Sequence, residues 1–291
     1  MHRRIAYLLL TPLLLLEGGE VHRPPRHRAE WLEAGEVELR AIRAGYGDTT
    51  LVLLHGYGEH LLTWRSVFDP LTRDYQVIAV DLPGFGGSDK PDQPYTIDAM
   101  AGTIQRMLRR YTEPPVILIG HSMGGAIAAA TAVKEPGRVA ALVLIAPAGI
   151  DVSLAGVLDT MSHRRSALIG AWEAARASII PMHDPDWIAE PPERAKYDPA
   201  LDPAFRSATA RVLRDFQFEG LAALYRELRQ PVQLIWGAAD PVIPVQVADS
   251  LTKLLRCHQL AILDRTLHRP QVERPDTVVA ILKRFLRQPG C

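Results

Sequence analysis

Ser122 stands at the centre of Gly120-His121-Ser122-Met123-Gly124. The run Val116-Ile117-Leu118-Ile119 precedes it, and Ala126-Ile127-Ala128-Ala129-Ala130 follows. An apolar β-branched run, a glycine-framed serine and a small-residue stretch spell strand, tight turn and helix. A serine at that apex is lifted clear of the backbone toward a substrate. Gly120 and Gly124 lack a Cβ, so the turn can be sharp and the strand and helix can pass closely. The chemistry this allows is nucleophilic attack. A serine hydroxyl is weak at neutral pH, so it needs a base, a carboxylate to orient that base, and donors for the oxyanion of an acyl transfer.

In open parallel sheets such groups gather at the carboxyl ends of strands. Asp240 follows the apolar run 232–236 in the loop Gly237-Ala238-Ala239-Asp240-Pro241, a position that suits a fixed carboxylate. His268 follows the run 260–263 and is the histidine of a late post-strand loop. The expected catalytic residues are therefore Ser122, Asp240 and His268. The expected oxyanion donors are the amides of Met123, next to the nucleophile, and Tyr57, in His55-Gly56-Tyr57-Gly58 after the run 51–54. Gly56, with Gly120 and Gly124, supports the turns. His55 is read as a hydrogen-bonded histidine that shapes its loop. His121 points away from Ser122 across the turn, to pack or line the pocket. His60, His163, His183 and His258 lie in no motif.

These groups need a scaffold. Continuous apolar runs occur at 51–54, 77–80, 116–119, 141–145, 232–236 and 260–263, with a polar–apolar alternation at 36–43. Runs without alternation are buried on both faces, which implies a mostly parallel sheet covered by helices. Helices are predicted at 63–73, 97–111, 122–135, 245–255 and 275–286. The rhythm breaks between 151 and 229, a stretch with helical segments at 165–178 and 204–216 and prolines at 181, 185, 191, 192, 199 and 203. This is far longer than a crossover needs and reads as an inserted helical cap. The organisation is then an N-terminal segment 1–30, a core of 31–150 and 230–291, and a cap of 151–229.

Bulk properties narrow the function classes. The 291 residues include 47% hydrophobic ones, with 33 basic against 33 acidic side chains, so no charge excess points to nucleic acid. Two cysteines, Cys257 and Cys291, exclude a disulfide framework and are too few for a cysteine metal site. They could pair only if the fold brought them together, and the better reading is a core thiol and a tail residue. His2-Arg3-Arg4 precedes the apolar stretch 5–16, as in a secretory signal, but no Ala-x-Ala site follows. Three readings stand: an uncleaved membrane anchor associating through residues 5–16, a poorly marked signal, or a helix packed on the protein. A membrane-anchored or exported location is favoured over a cytoplasmic one.

Several motifs together resemble the α/β-hydrolase superfamily: His55-Gly56-Tyr57-Gly58 with Trp64, the stretch Asp81-Leu82-Pro83-Gly84-Phe85-Gly86-Gly87-Ser88-Asp89, Tyr95-Thr96-Ile97-Asp98, Gly120 to Gly125, and His268 to Pro275. The order Ser122, Asp240, His268 is that of this superfamily. The match covers about residues 31–150 and 230–288 and looks most like the esterase, lactonase and carbon–carbon-bond hydrolase branch with a helical cap. The resemblance implies that Asp81 belongs to a structural turn. It also implies no metal or organic cofactor, and a serine rather than an aspartate nucleophile sets the chain apart from dehalogenases and epoxide hydrolases. One departure is Leu267, where the family usually has glycine before the histidine.

The expected activity is hydrolysis of carboxylic esters of modest size, lipid esters among them, through an acyl-enzyme on Ser122. A carbon–carbon-bond hydrolase or lactonase would use the same three residues. A non-catalytic binding protein on the same fold is the alternative of another class. Met161, Trp172, Trp187 and Phe205 are candidates for an apolar acyl pocket.

Overall fold

The computed structural model describes residues 26–150, 184–191 and 202–291. Among them nine strands form one sheet in the order β7-β1-β2-β4-β3-β5-β6-β8-β9. The strands are β1 (His27–Glu33), β2 (Glu38–Ala44), β3 (Thr50–Leu54), β4 (Gln76–Val80), β5 (Val116–His121), β6 (Val139–Ile145), β7 (Ile188–Ala189), β8 (Val232–Gly237) and β9 (His258–Leu263). From β4 through β9 every neighbour runs parallel, while β2 is antiparallel to both β1 and β4. The apolar runs are the strands, and β3, β5 and β8 are buried along their whole lengths.

Helices cover both faces. Helix α1 (Arg65–Leu71) packs with α8 (Pro275–Arg287) on one side, over a cluster that includes Trp64, Phe68, Leu282 and Phe285. On the other side lie α2 (Ile97–Tyr111), α3 (Met123–Lys134), α4 (Pro203–Asp215) and α5 (Leu221–Glu227), over a cluster that includes Met107, Ile127, Val212 and Tyr225. Helix α2 shows why the sequence complies: Thr96 caps it by accepting from the Ala99 amide at 3.1 Å, and Met100, Ile104, Met107 and Leu108 recur on its buried face. The remaining helices are α6 (Gln246–Thr252) and α7 (Pro270–Glu273).

Four expectations need correction. The sheet begins at His27, inside the segment assigned to the N-terminus, because β1 hairpins with β2 and buries Ala29 and Leu32. A strand also comes from the stretch read as a purely helical cap: β7 pairs in parallel with β1 at His27 and Arg28. It is held by side chains as well as by pairing. Trp187 packs edge-on against His27 and Phe68, Arg65 pairs with Asp184, and Glu190 pairs with the buried Arg40. Trp187 is therefore part of the core edge rather than of an acyl pocket. The third correction is β9, expected to be buried on both faces. It is the last strand of the sheet, and Leu260 and Ile262 are exposed.

The fourth concerns the cysteines. Cys257 and Cys291 form a disulfide, with Cα atoms 4.9 Å apart, because the start of β9 and the end of the chain after α8 meet at one end of the sheet. The Gln259 side-chain amide donates to the Gly290 carbonyl at 3.0 Å beside it. Residues 1–25, which carry the anchor-or-signal stretch, and the cap residues Met161, His163, Trp172 and His183 lie outside the described residues. No helix among the described residues is long and apolar enough to cross a membrane.

The disulfide closes a span of 34 residues that contains His268. Its reduction, or the double change Cys257→Ser/Cys291→Ser, is predicted to lower stability by about 2–4 kcal/mol through restored unfolded-state entropy. Thermal denaturation with and without reductant checks this: the wild type should melt several degrees lower when reduced, and the double variant should be indifferent to reductant.

Candidate active site

Strand β5 ends and α3 begins around Ser122, whose φ of 51° and ψ of −118° are strained for a residue with a side chain. Such a conformation costs about 1–3 kcal/mol and persists only where the surroundings impose it. Here they do. The Ser122 amide donates to Ile145 O at 3.0 Å, and its carbonyl accepts from Gly125 and Ala148 at 2.9 and 2.8 Å. The glycines make room. A Cβ on Gly120 would lie 2.4 Å from Gly124 O, and one on Gly124 would lie 2.3 Å from Leu54 O and 2.5 Å from His55 O. Helix α3 thus starts pressed against the end of β3, with the Met123 amide in its first turn, where no intrahelical acceptor exists.

Asp240 and His268 come together from the loops after β8 and β9. His268 Nδ1 lies 2.7 Å from Asp240 Oδ2, and the Asp240 side chain is fully buried. The other carboxylate oxygen accepts the amides of Val242 and Ile243 at 2.8 and 2.9 Å. A carboxylate so occupied acts as an acceptor, which puts a proton on Nδ1 and leaves the Nε2 lone pair free. The residue before Ser122 is their neighbour: the His121 and His268 rings have centroids 4.8 Å apart. Ser122 Oγ and His268 share no hydrogen bond among the described residues. Such contacts commonly tighten only with substrate bound.

Leu267 causes no conflict. Its side chain is half exposed, and its backbone is not in the left-handed region, so nothing there requires glycine. Glu273 grips the loop instead, accepting the Leu267 amide at 2.7 Å and the Arg269 amide at 2.9 Å. The residue that must be glycine lies in the neighbouring strand: a Cβ on Gly237 would sit 2.0 Å from Leu267 O and 2.4 Å from Thr266 O. Sequence reading passed over Gly237 because the contact joins the end of β8 to a loop thirty residues on.

The loop after β3 is organised by His55, Glu59 and Asp81. His55 is fully buried. Its Nδ1 donates to Gly56 O at 2.7 Å and its Nε2 accepts the Leu82 amide at 2.9 Å, so it is the neutral structural histidine expected, with burial pushing its pKa down. Asp81 accepts Leu61 N at 2.6 Å, Gly87 N at 2.7 Å and Arg40 Nη1 at 2.9 Å, which makes it the anchor of its turn. Gly86, at φ 51°, would clash with that carboxylate if it carried a Cβ. Glu59, which no motif singled out, accepts the Gly56 amide at 2.9 Å. That amide is therefore engaged, and Tyr57 follows it as the next available donor. Tyr57 also reaches the cap: its hydroxyl donates to Thr209 O in α4 at 3.3 Å, and its ring packs edge-on against Phe85, which meets Phe205.

His121 is buried between two loops, with Nδ1 2.9 Å from Glu59 Oε2 and Nε2 2.8 Å from His268 O. Burial works against charge on both partners, but each outweighs it for the other. Glu59 is held below the ordinary carboxylate range and His121 above the ordinary histidine value.

The chain belongs to the alpha/beta hydrolase fold family, whose model matches residues 49–275. An uncharacterized protein of Mycobacterium tuberculosis is 29% identical over 265 residues, spanning 85% of this chain and 78% of its own. A serine hydrolase involved in carbazole degradation superposes with a TM-score of 0.72 at 26% identity, covering 90% of this chain and 99% of its own. The 2-hydroxy-6-oxo-6-phenylhexa-2,4-dienoate hydrolase of Rhodococcus sp. strain RHA1 does so with a TM-score of 0.71 at 25% identity, with the same coverage.

Two outcomes test this geometry. Gly237→Ala is predicted to displace the His268 loop and cut turnover by about 10²-fold or more, with the fold retained by circular dichroism. The Glu59–His121 pair should stabilise the fold most at mildly acidic pH. Glu59 contributes fully above its unfolded pKa of about 4.5 and loses this as pH falls through its lowered folded pKa; His121 contributes fully below about 6.5 and loses this as pH rises through its raised folded pKa. The melting-temperature gap between wild type and Glu59→Gln is thus expected to be wider near about pH 5.5 than near about pH 9.

Proposed function

We propose that the protein is a cofactor-independent serine hydrolase that cleaves carboxylic esters of modest size through an acyl-enzyme on Ser122. The observation that carries this reading is the Asp240–His268 pair, 2.7 Å apart, together with the strained conformation of the serine at the strand–helix turn after β5. His268 Nε2 takes the Ser122 proton as Oγ adds to the ester carbonyl, then passes it to the departing alcohol. Water enters by the same route in reverse, releasing the acid and restoring Ser122. Asp240 holds the imidazole in the right tautomer and stabilises its charged form. The amides of Tyr57 and Met123 stabilise the oxyanion, each on a backbone fixed before substrate arrives. Phe205 and Tyr57 each pack edge-on against Phe85 and supply apolar surface between cap and core for an acyl group.

The similarity to a dienoate hydrolase over nearly its whole length favours one alternative, carbon–carbon bond hydrolysis with the same three residues. The intramolecular disulfide supports an exported or membrane-anchored location, since such bonds persist in oxidising compartments.

A p-nitrophenyl ester series tests the main reading. Ser122→Ala and His268→Ala should each reduce kcat by at least about 10³-fold, and Asp240→Asn by about 10³–10⁴-fold. Activity on no ester together with turnover of a 2-hydroxy-6-oxo-dienoate would transfer the assignment to the carbon–carbon reading. Wild-type rates in Ser122→Ala would contradict both.

A further inference from the structure

Among the described residues, the ring nitrogens of His121 face only acceptors. Nδ1 faces a carboxylate oxygen of Glu59 at 2.9 Å, and Nε2 faces the carbonyl oxygen of His268 at 2.8 Å. A carbonyl oxygen and an ionised carboxylate accept and do not donate, so both ring nitrogens must carry protons. The other way to satisfy the set is a neutral Glu59 that donates to Nδ1. That arrangement is disfavoured because the same Oε2 already accepts the Gly56 amide at 2.9 Å. His121 is 1% exposed and Glu59 14%, so water screens the pair little.

The connectivity is more telling than the charge alone. Glu59 and Gly56 belong to the loop after β3, His121 to the end of β5, and His268 to the loop after β9. One ion pair therefore ties the backbones of the oxyanion loop and the histidine loop to the residue that precedes the nucleophile. It also sets a positive ring 4.8 Å, centroid to centroid, from the His268 ring, on whose Nδ1 Asp240 sits.

We propose that His121 is a positioning residue kept as an imidazolium by Glu59, and that this pair fixes the His268 loop beside the residue that precedes the nucleophile. The effect on the reactivity of Ser122 rests on the reading of His268 as the general base; the protonation state of His121 does not. The charged and titratable groups facing His121 are Glu59 and His55 from the β3 side, Asp240 from the loop after β8, and His268 from the loop after β9. His55 is buried and neutral. Glu59 and Asp240 both favour the positive charge on His121.

Histidine-ring nitrogen NMR on the full chain tests the charge directly, with His121 assigned by its loss in His121→Gln. Both His121 nitrogens should be protonated at neutral pH in the wild type, and one should be bare in Glu59→Gln. A bare His121 nitrogen in the wild type overturns the proposal, whatever reaction the protein catalyses. The positioning role is read from the rate of fluorophosphonate labelling of Ser122, which needs no identified substrate. His121→Gln keeps a donor for the His268 carbonyl and should retain that rate within about five-fold, whereas His121→Ala should lose about 10²-fold. Equal losses in His121→Gln and His121→Ala contradict the positioning role. Absence of labelling in the wild type, with a doubly protonated His121, would count against the hydrolase reading and leave the ion pair standing.

Discussion

Backbone meets backbone at the carboxyl end of this sheet, and the site depends on that contact. Gly120 lies against Gly124, Gly124 against the Leu54 and His55 carbonyls, and Gly237 against the Thr266 and Leu267 carbonyls. Each approach is closer than any Cβ allows, and none can be relieved by a rotamer change, because the opposing atoms are main chain. The strained Ser122 conformation follows from the first two, since the turn has nowhere else to go. The position of the His268 loop follows from the third.

Carboxylates organise what the glycines bring close. Asp81 gathers the amides of Leu61 and Gly87 with the Arg40 guanidinium, Glu59 joins Gly56 to His121, Asp240 joins Val242 and Ile243 to His268, and Glu273 joins Leu267 to Arg269. In each case one anion accepts several donors, so the segments that carry them are fixed relative to one another, and for the buried Asp81 and Asp240 the cost of burial is compensated. Preorganisation of this kind is what electrostatic stabilisation of a developing oxyanion requires.

Much of this was legible in the sequence, for identifiable reasons. Strands β3, β5 and β8 are buried along their whole lengths, so their apolar runs stand out without alternation, and Asp240 and His268, which pair in the structure, were sought just past strand ends. Strand β1 was missed because its burial alternates irregularly and it lies beside an apolar N-terminal stretch of different character. Strand β7 is two residues long, below any periodicity signal. The Cys257–Cys291 bond, the need for glycine at 237 and the role of Glu59 are tertiary facts: each joins residues whose proximity only the closed fold creates. His121 was expected to point away from Ser122 and to pack or line the pocket. It is buried, and its two acceptors give it a protonation state that no local pattern encodes.

The central claim is that Ser122 is the nucleophile, activated by His268 and Asp240. Peptide mass spectrometry after fluorophosphonate treatment tests it most directly. The account predicts a single phosphonyl adduct on Ser122 in the wild type, greatly slowed in His268→Ala and absent in Ser122→Ala. An adduct on another residue, or labelling of Ser122 that is indifferent to the loss of His268, would contradict it.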